Sequence, residues 1–210
     1  MKAFLVEQIA DKEFISGVKE VSIPKCAENE IVIKVTYSSL NYKDALSSIG
    51  NPGVTRKFPH ITGIDVSGTI FESTSPIFKV GEKVLVTGYD MGMNTDGGHA
   101  QYVKVPASWV ARIPDSITDK EIMIFGTAGL TAALSVNELI EHEIIPESGD
   151  ILVTGATGGV GSIAISILRK LGYNITAISG KKERVNFLKD IGANEVIFRE
   201  DFEKQSNKPL

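Results

Sequence analysis

The chain contains few of the residues that bind transition metals or form disulfides. Its 210 residues include one cysteine, Cys26, and three scattered histidines, His60, His99 and His142. A single cysteine excludes a disulfide within the chain and is typical of a reducing compartment, so we expect a cytoplasmic location. These side chains also fail to supply the usual ligand sets for a structural or catalytic zinc ion. We therefore expect no metal site.

The chain also lacks a strong net charge and a long apolar run. Its formal net charge is −4, which argues against a nucleic-acid-binding surface. No apolar stretch approaches the length of a membrane span, so we expect no membrane partner. Apolar residues make up 42% of the chain and charged residues 23%, which is ordinary for a globular protein with a buried core.

One stretch contains a glycine-rich turn between a short strand and a helix. Ile151–Val153 is an uninterrupted apolar run, typical of a parallel strand that is buried on both faces. A helical period begins near Val160 and ends at Gly172, and a second strand is predicted at Ile175–Ile178. Strand, glycine turn, helix and strand together are the context in which a dinucleotide fingerprint is informative.

The turn itself has the chemistry of a phosphate site. A helix that starts directly after a strand points its free N–H groups and its positive dipole end at the turn. Gly158 and Gly161 carry no Cβ, so a pyrophosphate can approach the backbone there. Ala156 stands at the first glycine position, which makes the match slightly imperfect. The alternative is a tight turn that only packs the helix. The predicted cofactor contacts are Thr157, Gly158, Gly159, Val160 and Gly161.

The end of the second strand indicates NADPH rather than NADH. NAD-binding proteins usually carry an acid there, which bonds the ribose 2′-hydroxyl. Here the strand runs into Ser179, Gly180, Lys181 and Lys182, and no acid precedes Glu183. A hydroxyl, a glycine and cations suit a 2′-phosphate, which a carboxylate would repel. Ser179, Gly180 and Lys181 are the predicted contacts. The alternative is a solvated lysine pair that starts the next helix.

The residues before position 115 differ in character from those after it. The first part consists of short β-branched runs separated by glycines, which predicts a mostly β domain, and a bent barrel fits this pattern. From residue 115 a helix is predicted, opened by a capping box at Thr118 and Glu121 and broken around Gly126 and Gly129. The predicted early elements are strands at Ala3–Val6, Val18–Ile23, Ile31–Leu40, Asp65–Glu72, Lys83–Val86 and His99–Val105, and a helix at Asn41–Ser48.

Six phrases of the chain point to a known family: Ser38–Asp44, Gly63–Asp65, Gly81–Val84, Gly97–Val103, Gly126–Ala132 and Val153–Gly161. They resemble the medium-chain dehydrogenase/reductase superfamily, and most of all its acrylyl-CoA reductase branch, also labelled quinone oxidoreductases. The resemblance implies an α/β (mixed) chain: a GroES-like β-barrel domain at 1–114 and a partial Rossmann-type NADP-binding parallel sheet at 115–210. Against this family the chain stops early, either as a fragment of a longer enzyme or as a natural C-terminal truncation. We therefore expect an exposed sheet edge that is prone to pair with another chain.

The resemblance implies a reductase without zinc. Zinc members carry a cysteine where Asn41 stands and a His-Glu pair where Ile64 and Asp65 stand. The implied reaction transfers hydride from NADPH to the activated C=C bond of an α,β-unsaturated acyl-CoA, converting acrylyl-CoA to propionyl-CoA. Charge would build on the thioester oxygen, which the protein must stabilise, and a proton must reach the α-carbon. The alternatives are a quinone oxidoreductase and a truncated NADPH-binding protein without activity.

The resemblance also implies roles for individual residues and a homodimer of the family type. Tyr42 would lie against the cofactor and could donate a proton or a hydrogen bond; the alternative is a buried aromatic with a satisfied hydroxyl. Asn41 could bond the substrate carbonyl, while Asp44 either pairs with its neighbour Lys43 or caps the helix. Two further cofactor contacts are implied, Thr127 near the nicotinamide and Arg199 at the adenosine end.

Overall fold

The structure is a computed structural model that describes residues 1–201 of the chain. Antiparallel strands come first, and alternating strands and helices follow, so the fold is mixed α/β as predicted. The described chain divides into two compact units, Met1–Thr127 and a second unit that begins at Ala128. The boundary that the sequence suggests between residues 114 and 115 stays a prediction.

Antiparallel pairing builds the first unit. Its strands are β1 (Lys2–Ala10), β2 (Glu13–Glu20), β3 (Glu30–Tyr37), β4 (His60–Ile61), β5 (Asp65–Ser73), β6 (Lys83–Thr87), β7 (Tyr102–Pro106) and β8 (Ala111–Arg112). Within residues 1–127 they form a three-stranded sheet, β2-β1-β4, and a five-stranded sheet, β7-β3-β5-β6-β8.

The five-stranded sheet contains the core of the first unit. Ile31, Val32 and Ile33 follow one another in β3 and are all fully buried, so this part of β3 is covered on both faces. Neighbouring strands contribute branched aliphatic residues, which suit a pleated, close-packed surface. These are Val66, Ile70, Val84, Val86, Val103 and Val105. This packing anchors β3, whose end leads into the short helix α1 (Tyr42–Ser48).

Strand β2, which forms a hairpin with β1, begins and ends earlier than predicted. The strand predicted at Val18–Ile23 begins at Glu13 and ends at Glu20. The turn consists of Asp11 and Lys12, because Ala10 already pairs with Glu13. Lys12 has a φ of +59°, a left-handed conformation that lysine rarely adopts. The turn therefore lacks the glycine or asparagine that would have revealed it in the sequence.

The long helix α2 (Asp119–Glu141) begins at the predicted capping box. Thr118 N donates to the Glu121 carboxylate at 2.9 Å, and Glu121 N donates back to Thr118 Oγ1 at 3.2 Å. As predicted, Gly126 interrupts it with a φ of +50° and a ψ of −152°, whereas Gly129 lies within helix. By length and composition α2 could cross a membrane. This corrects the expectation that no apolar stretch approaches the length of a membrane span. Core helices of water-soluble proteins pass the same test.

Parallel pairing builds the second unit. Its elements are β9 (Ile151–Val153), α3 (Gly159–Lys170), β10 (Ile175–Ser179), α4 (Val185–Ile191) and β11 (Glu195–Phe198). Within residues 128–201 the strand order is β11-β10-β9, so β9 pairs on one side only. Leu152 of β9 is 47% exposed, although a strand of this composition normally lies in a sheet interior. This is the exposed sheet edge that the sequence predicts.

Candidate functional site

The glycine turn, residues 154–161, joins β9 to α3 within the second unit. Gly158 is the N-cap of α3, with an extended φ of −82° and ψ of 171°, and no side chain caps the helix. The first N–H groups of α3 therefore have neither a carbonyl partner within the helix nor a side-chain cap. Such a helix end favours an anion. The predicted contacts Thr157–Gly161 all lie in this turn and the start of α3.

The glycines of the turn have different reasons for lacking a Cβ. At Gly161 an added Cβ would lie 2.6 Å from Gly155 O and 2.9 Å from Ala156 Cα, so α3 approaches the turn through this position. At Gly158 the nearest atom would be 3.2 Å away. Internal packing alone therefore requires glycine at 161. This agrees with the alternative that the turn only packs the helix, as far as Gly161 is concerned. At Gly158 the contact, with Gly155 O, is tight but less severe, so glycine there suits both packing and the approach of a ligand to the backbone.

A pocket of about 580 Å³ lies beside the glycine turn, within the second unit. Ser135, Val136 and Leu139 of α2 form one wall, and β9 and α3 supply the rest. Apolar walls with polar backbone groups at one end are typical of cofactor sites.

Cations collect at the carboxyl ends of β10 and β11. Ser179 pairs with Phe198 in the parallel register, so Arg199 follows β11 at the same edge where Lys181 follows β10. Lys181 and Arg199 are exposed, and Lys182 Nζ lies 5.5 Å from the centre of the Phe198 ring. The Ser179 hydroxyl is buried and accepts a hydrogen bond from Lys181 N at 3.0 Å, which shapes the turn after β10. The arrangement presents positive charge to an anionic group.

In the first unit, Asn41 is the N-cap of α1 and is held by Asp44. The Asp44 carboxylate is buried and accepts from Asn41 N at 2.7 Å and from Ile64 N at 3.0 Å. Asp44 is thus a helix cap, one of the two alternatives for this residue, and it ties α1 to the segment before β5. The bond from Asn41 N fixes the backbone of Asn41, whose side chain is half-buried.

Asn41 and Asp44 belong to a pocket of about 430 Å³, here called the Asn41 pocket. His99 lies in its wall with both ring nitrogens engaged: Nε2 is 3.2 Å from Ser39 O and Nδ1 is 2.8 Å from Thr62 Oγ1. Because a carbonyl only accepts, Nε2 donates to Ser39 O, and Nδ1 shares a hydrogen bond with the Thr62 hydroxyl. The remaining lining residues are Phe4, Leu40, Ala45 and Ser48.

A buried carboxylate, Asp65, lies behind Asn41. Asn41 Nδ2 donates to Asp65 Oδ2 at 2.7 Å, and Thr127 N and Oγ1 donate to Asp65 Oδ1 at 2.9 and 2.6 Å. The structure thus brings the predicted residues Asn41 and Thr127 together through an acid to which the sequence analysis gave no role. The available signal was an acid at the start of a predicted strand, a position that tends to be buried.

Tyr42 is 79% exposed, so the buried-aromatic alternative for this residue is wrong. It begins α1 directly after Asn41, and its side chain is open to a ligand. Among residues 1–201, no group of three or more histidine, cysteine, aspartate or glutamate side chains is arranged to hold a metal ion.

Comparison with known proteins identifies relatives along the whole chain. The alcohol dehydrogenase GroES-like domain family matches residues 27–115. YhfP of Bacillus subtilis, named as a quinone oxidoreductase, is 44% identical over 95% of this chain and 60% of its own length. The acrylyl-CoA reductase AcuI of Ruegeria pomeroyi is 38% identical over 96% of this chain and 63% of its own. The chain thus spans about three fifths of the length of these relatives.

Solved structures show the same fold. YhdH of Escherichia coli, crystallised with NADPH, superposes with a TM-score of 0.91 at 40% identity, covering 99% of this chain and 64% of that one. YhfP of Bacillus subtilis, crystallised with NAD, superposes with a TM-score of 0.92 at 42% identity, covering 100% of this chain and 63% of that one.

Proposed function

Because the chain belongs to the medium-chain dehydrogenase/reductase family, in the branch of the acrylyl-CoA reductases, we propose that it is an NADPH-dependent reductase of α,β-unsaturated acyl-CoA. One observation carries the cofactor assignment. Lys181, Lys182 and Arg199 follow two adjacent strands in the unit that contains the glycine turn, and no acid stands among residues 179–182.

The residues of the second unit fit NADPH. The uncapped start of α3 offers backbone N–H groups to the pyrophosphate, and Gly158 leaves the approach open. Lys181 and Arg199 offer charge-assisted hydrogen bonds to the 2′-phosphate. An acid at the end of β10 would repel that phosphate and favour the ribose hydroxyl of NAD instead. NAD in the related YhfP structure makes this preference the first property to test.

The residues of the first unit supply electrostatic stabilisation and a proton. Bound NADPH supplies the hydride that adds to the β-carbon of the substrate. Asn41 donates an amide N–H to the thioester oxygen, where negative charge develops. The exposed Tyr42 hydroxyl delivers the proton to the α-carbon or holds the water that does so. The apolar part of the Asn41 pocket, with Phe4 and Leu40, receives the short acyl group.

A quinone is the second candidate substrate, because the 44% identical relative is named as a quinone oxidoreductase. Both candidates are tested on the purified 210-residue chain by following nicotinamide absorbance with acrylyl-CoA or a benzoquinone. We expect faster turnover of acrylyl-CoA, and Asn41→Ala should lower it by about 10²- to 10³-fold because the oxygen loses its donor.

Three results would contradict this assignment. Quinone turnover that exceeds acrylyl-CoA turnover would select the second candidate. Bound NADPH without turnover of either compound would select a binding protein. Asn41→Ala with undiminished acrylyl-CoA turnover would remove Asn41 from the chemistry.

We further propose a cytoplasmic location and a small-molecule partner. A cytoplasmic location agrees with the single cysteine, Cys26, because a reducing compartment makes no demand for disulfides. A small-molecule substrate agrees with the pockets of both units. A homodimer remains a prediction, which sedimentation of the chain at several concentrations would test.

A further inference from the structure

Asp65 is a fully buried acid whose carboxylate is surrounded by donors. Its oxygens lie 2.7 Å from Asn41 Nδ2 and 2.9 and 3.1 Å from Thr127 N, and its Oδ1 is 2.6 Å from Thr127 Oγ1. A buried charge is tolerated only when such hydrogen bonds replace water. Gly126 leaves room for it, since a Cβ there would lie 2.6 Å from Asp65 Oδ2.

The network determines which end of the Asn41 amide faces the carboxylate. A backbone N–H can only donate, so the Thr127 N–H marks the carboxylate as the acceptor. Asn41 must then turn its NH2 end towards Asp65 and its Oδ1 away from it. The NH2 group has two hydrogens, and Asp65 takes one of them. The second remains for a ligand in the Asn41 pocket.

We infer that Asp65 is the positioning residue of the site, acting through Asn41 and Thr127. This inference rests on the proposed function, because the orientation matters only if Asn41 stabilises a developing oxyanion. An amide that could flip would present its carbonyl oxygen to the oxyanion for part of the time, and that contact is repulsive. One carboxylate thus orients the predicted substrate donor, Asn41, and holds Thr127, the predicted contact near the nicotinamide.

Helix capping by itself does not account for the arrangement. A cap for the helical segment after Gly126 needs only the hydrogen bonds to Thr127. The bond from Asn41 joins a residue 24 positions away and adds nothing to that cap. Asn41 already has a backbone anchor in Asp44. The bond to Asp65 therefore specifies the side-chain orientation of Asn41.

A double-mutant cycle on turnover tests the inference. Asp65→Asn keeps the size of the side chain but places a donor against the Asn41 NH2 group. We expect kcat to fall by about 10- to 100-fold in the wild-type background, as misplacement of a catalytic group does. In the Asn41→Ala background, Asp65→Asn should lower kcat by less than about threefold, because the amide that Asp65 would orient is absent. Independent, multiplicative effects would overturn the inference.

Ser47→Ala is the matched structural control. It removes a buried hydrogen bond to Thr55 of 2.7 Å in α1. We expect it to lower the melting temperature without coupling to Asn41→Ala. If Asp65→Asn behaved like this control, Asp65 would be a structural residue and the inference would be wrong.

A second readout needs neither turnover nor a folded Asp65 variant. In the wild-type chain the Asn41 side-chain NH2 resonances, assigned by their loss in Asn41→Asp, should exchange with solvent at least tenfold more slowly than those of the surface residue Asn186. Equal exchange rates would overturn the inference. Wild-type protein without turnover would instead defeat the proposed function, and the exchange result would still decide whether Asp65 holds the amide.

Discussion

The glycine turn and the Asn41 pocket are built from different parts of the protein. The glycine turn consists of consecutive backbone groups with few side chains, so a substitution there is tolerated only where the added volume meets no neighbouring atom. The Asn41 pocket uses side chains that are far apart in sequence, Asn41, Asp65 and Thr127, so its function depends on the identity of each donor and acceptor. A change that damages one kind of site should leave the other kind nearly unaffected.

The largest expected effect is an added methyl group at Gly161. Gly161→Ala places a Cβ 2.6 Å from Gly155 O and forces α3 away from the turn. We expect unfolding to become easier by about 1–3 kcal/mol, as for other overpacked positions. Chemical denaturation measures this change.

Gly180→Ala is the control for that experiment, because a Cβ at Gly180 meets nothing within 4 Å. Its free energy of unfolding should stay within about 0.5 kcal/mol of wild type. Equal losses of stability in the two variants would contradict the packing role of Gly161. Added volume would then not be what limits substitution in the glycine turn.

The second largest expected effect is that of a charge reversal at Lys181. Lys181→Glu should weaken NADPH binding by about 10- to 100-fold, because a charge-assisted hydrogen bond to the 2′-phosphate is lost. NADH binding should change far less, because NADH carries no such phosphate. Lys189→Glu, on exposed α4, makes the same change in net charge away from the strand ends. Calorimetric titration that shows equal losses for both variants would indicate long-range charge rather than contact.

The smallest expected effect is a pH dependence of stability from His60. His60 is buried and its Nε2 donates to Gly92 O at 3.0 Å, and burial lowers the pKa of the imidazole. The unfolded chain therefore binds a proton near pH 6.5 that the folded chain does not, so stability falls as the pH falls below about 6.5.

Denaturation midpoints on both sides of that pH measure the effect. His60→Gln should flatten the dependence, whereas His142→Gln, on the exposed end of α2, should leave it unchanged. A steep dependence that survives His60→Gln would assign it to other groups.

Elements that are specified locally were predictable from the sequence. The strand–turn–helix unit around Gly158 follows from a run of apolar residues and glycines, and the Thr118–Glu121 capping box lies where the spacing indicates. The hairpin turn at Lys12 was missed because a lysine there carries no turn signal. Asp65 was missed as a site residue because an acid at the start of a strand does not reveal its partners. Its hydrogen bonds to Asn41 and Thr127 depend on how β5 packs.

Titration of the purified chain with NADPH and with NADH, followed by nicotinamide fluorescence, tests the central claim most directly. We expect saturable binding of both nucleotides with a clear preference for NADPH, since the cations after β10 and β11 meet a 2′-phosphate. A folded chain that binds neither nucleotide, or one that prefers NADH, would contradict it.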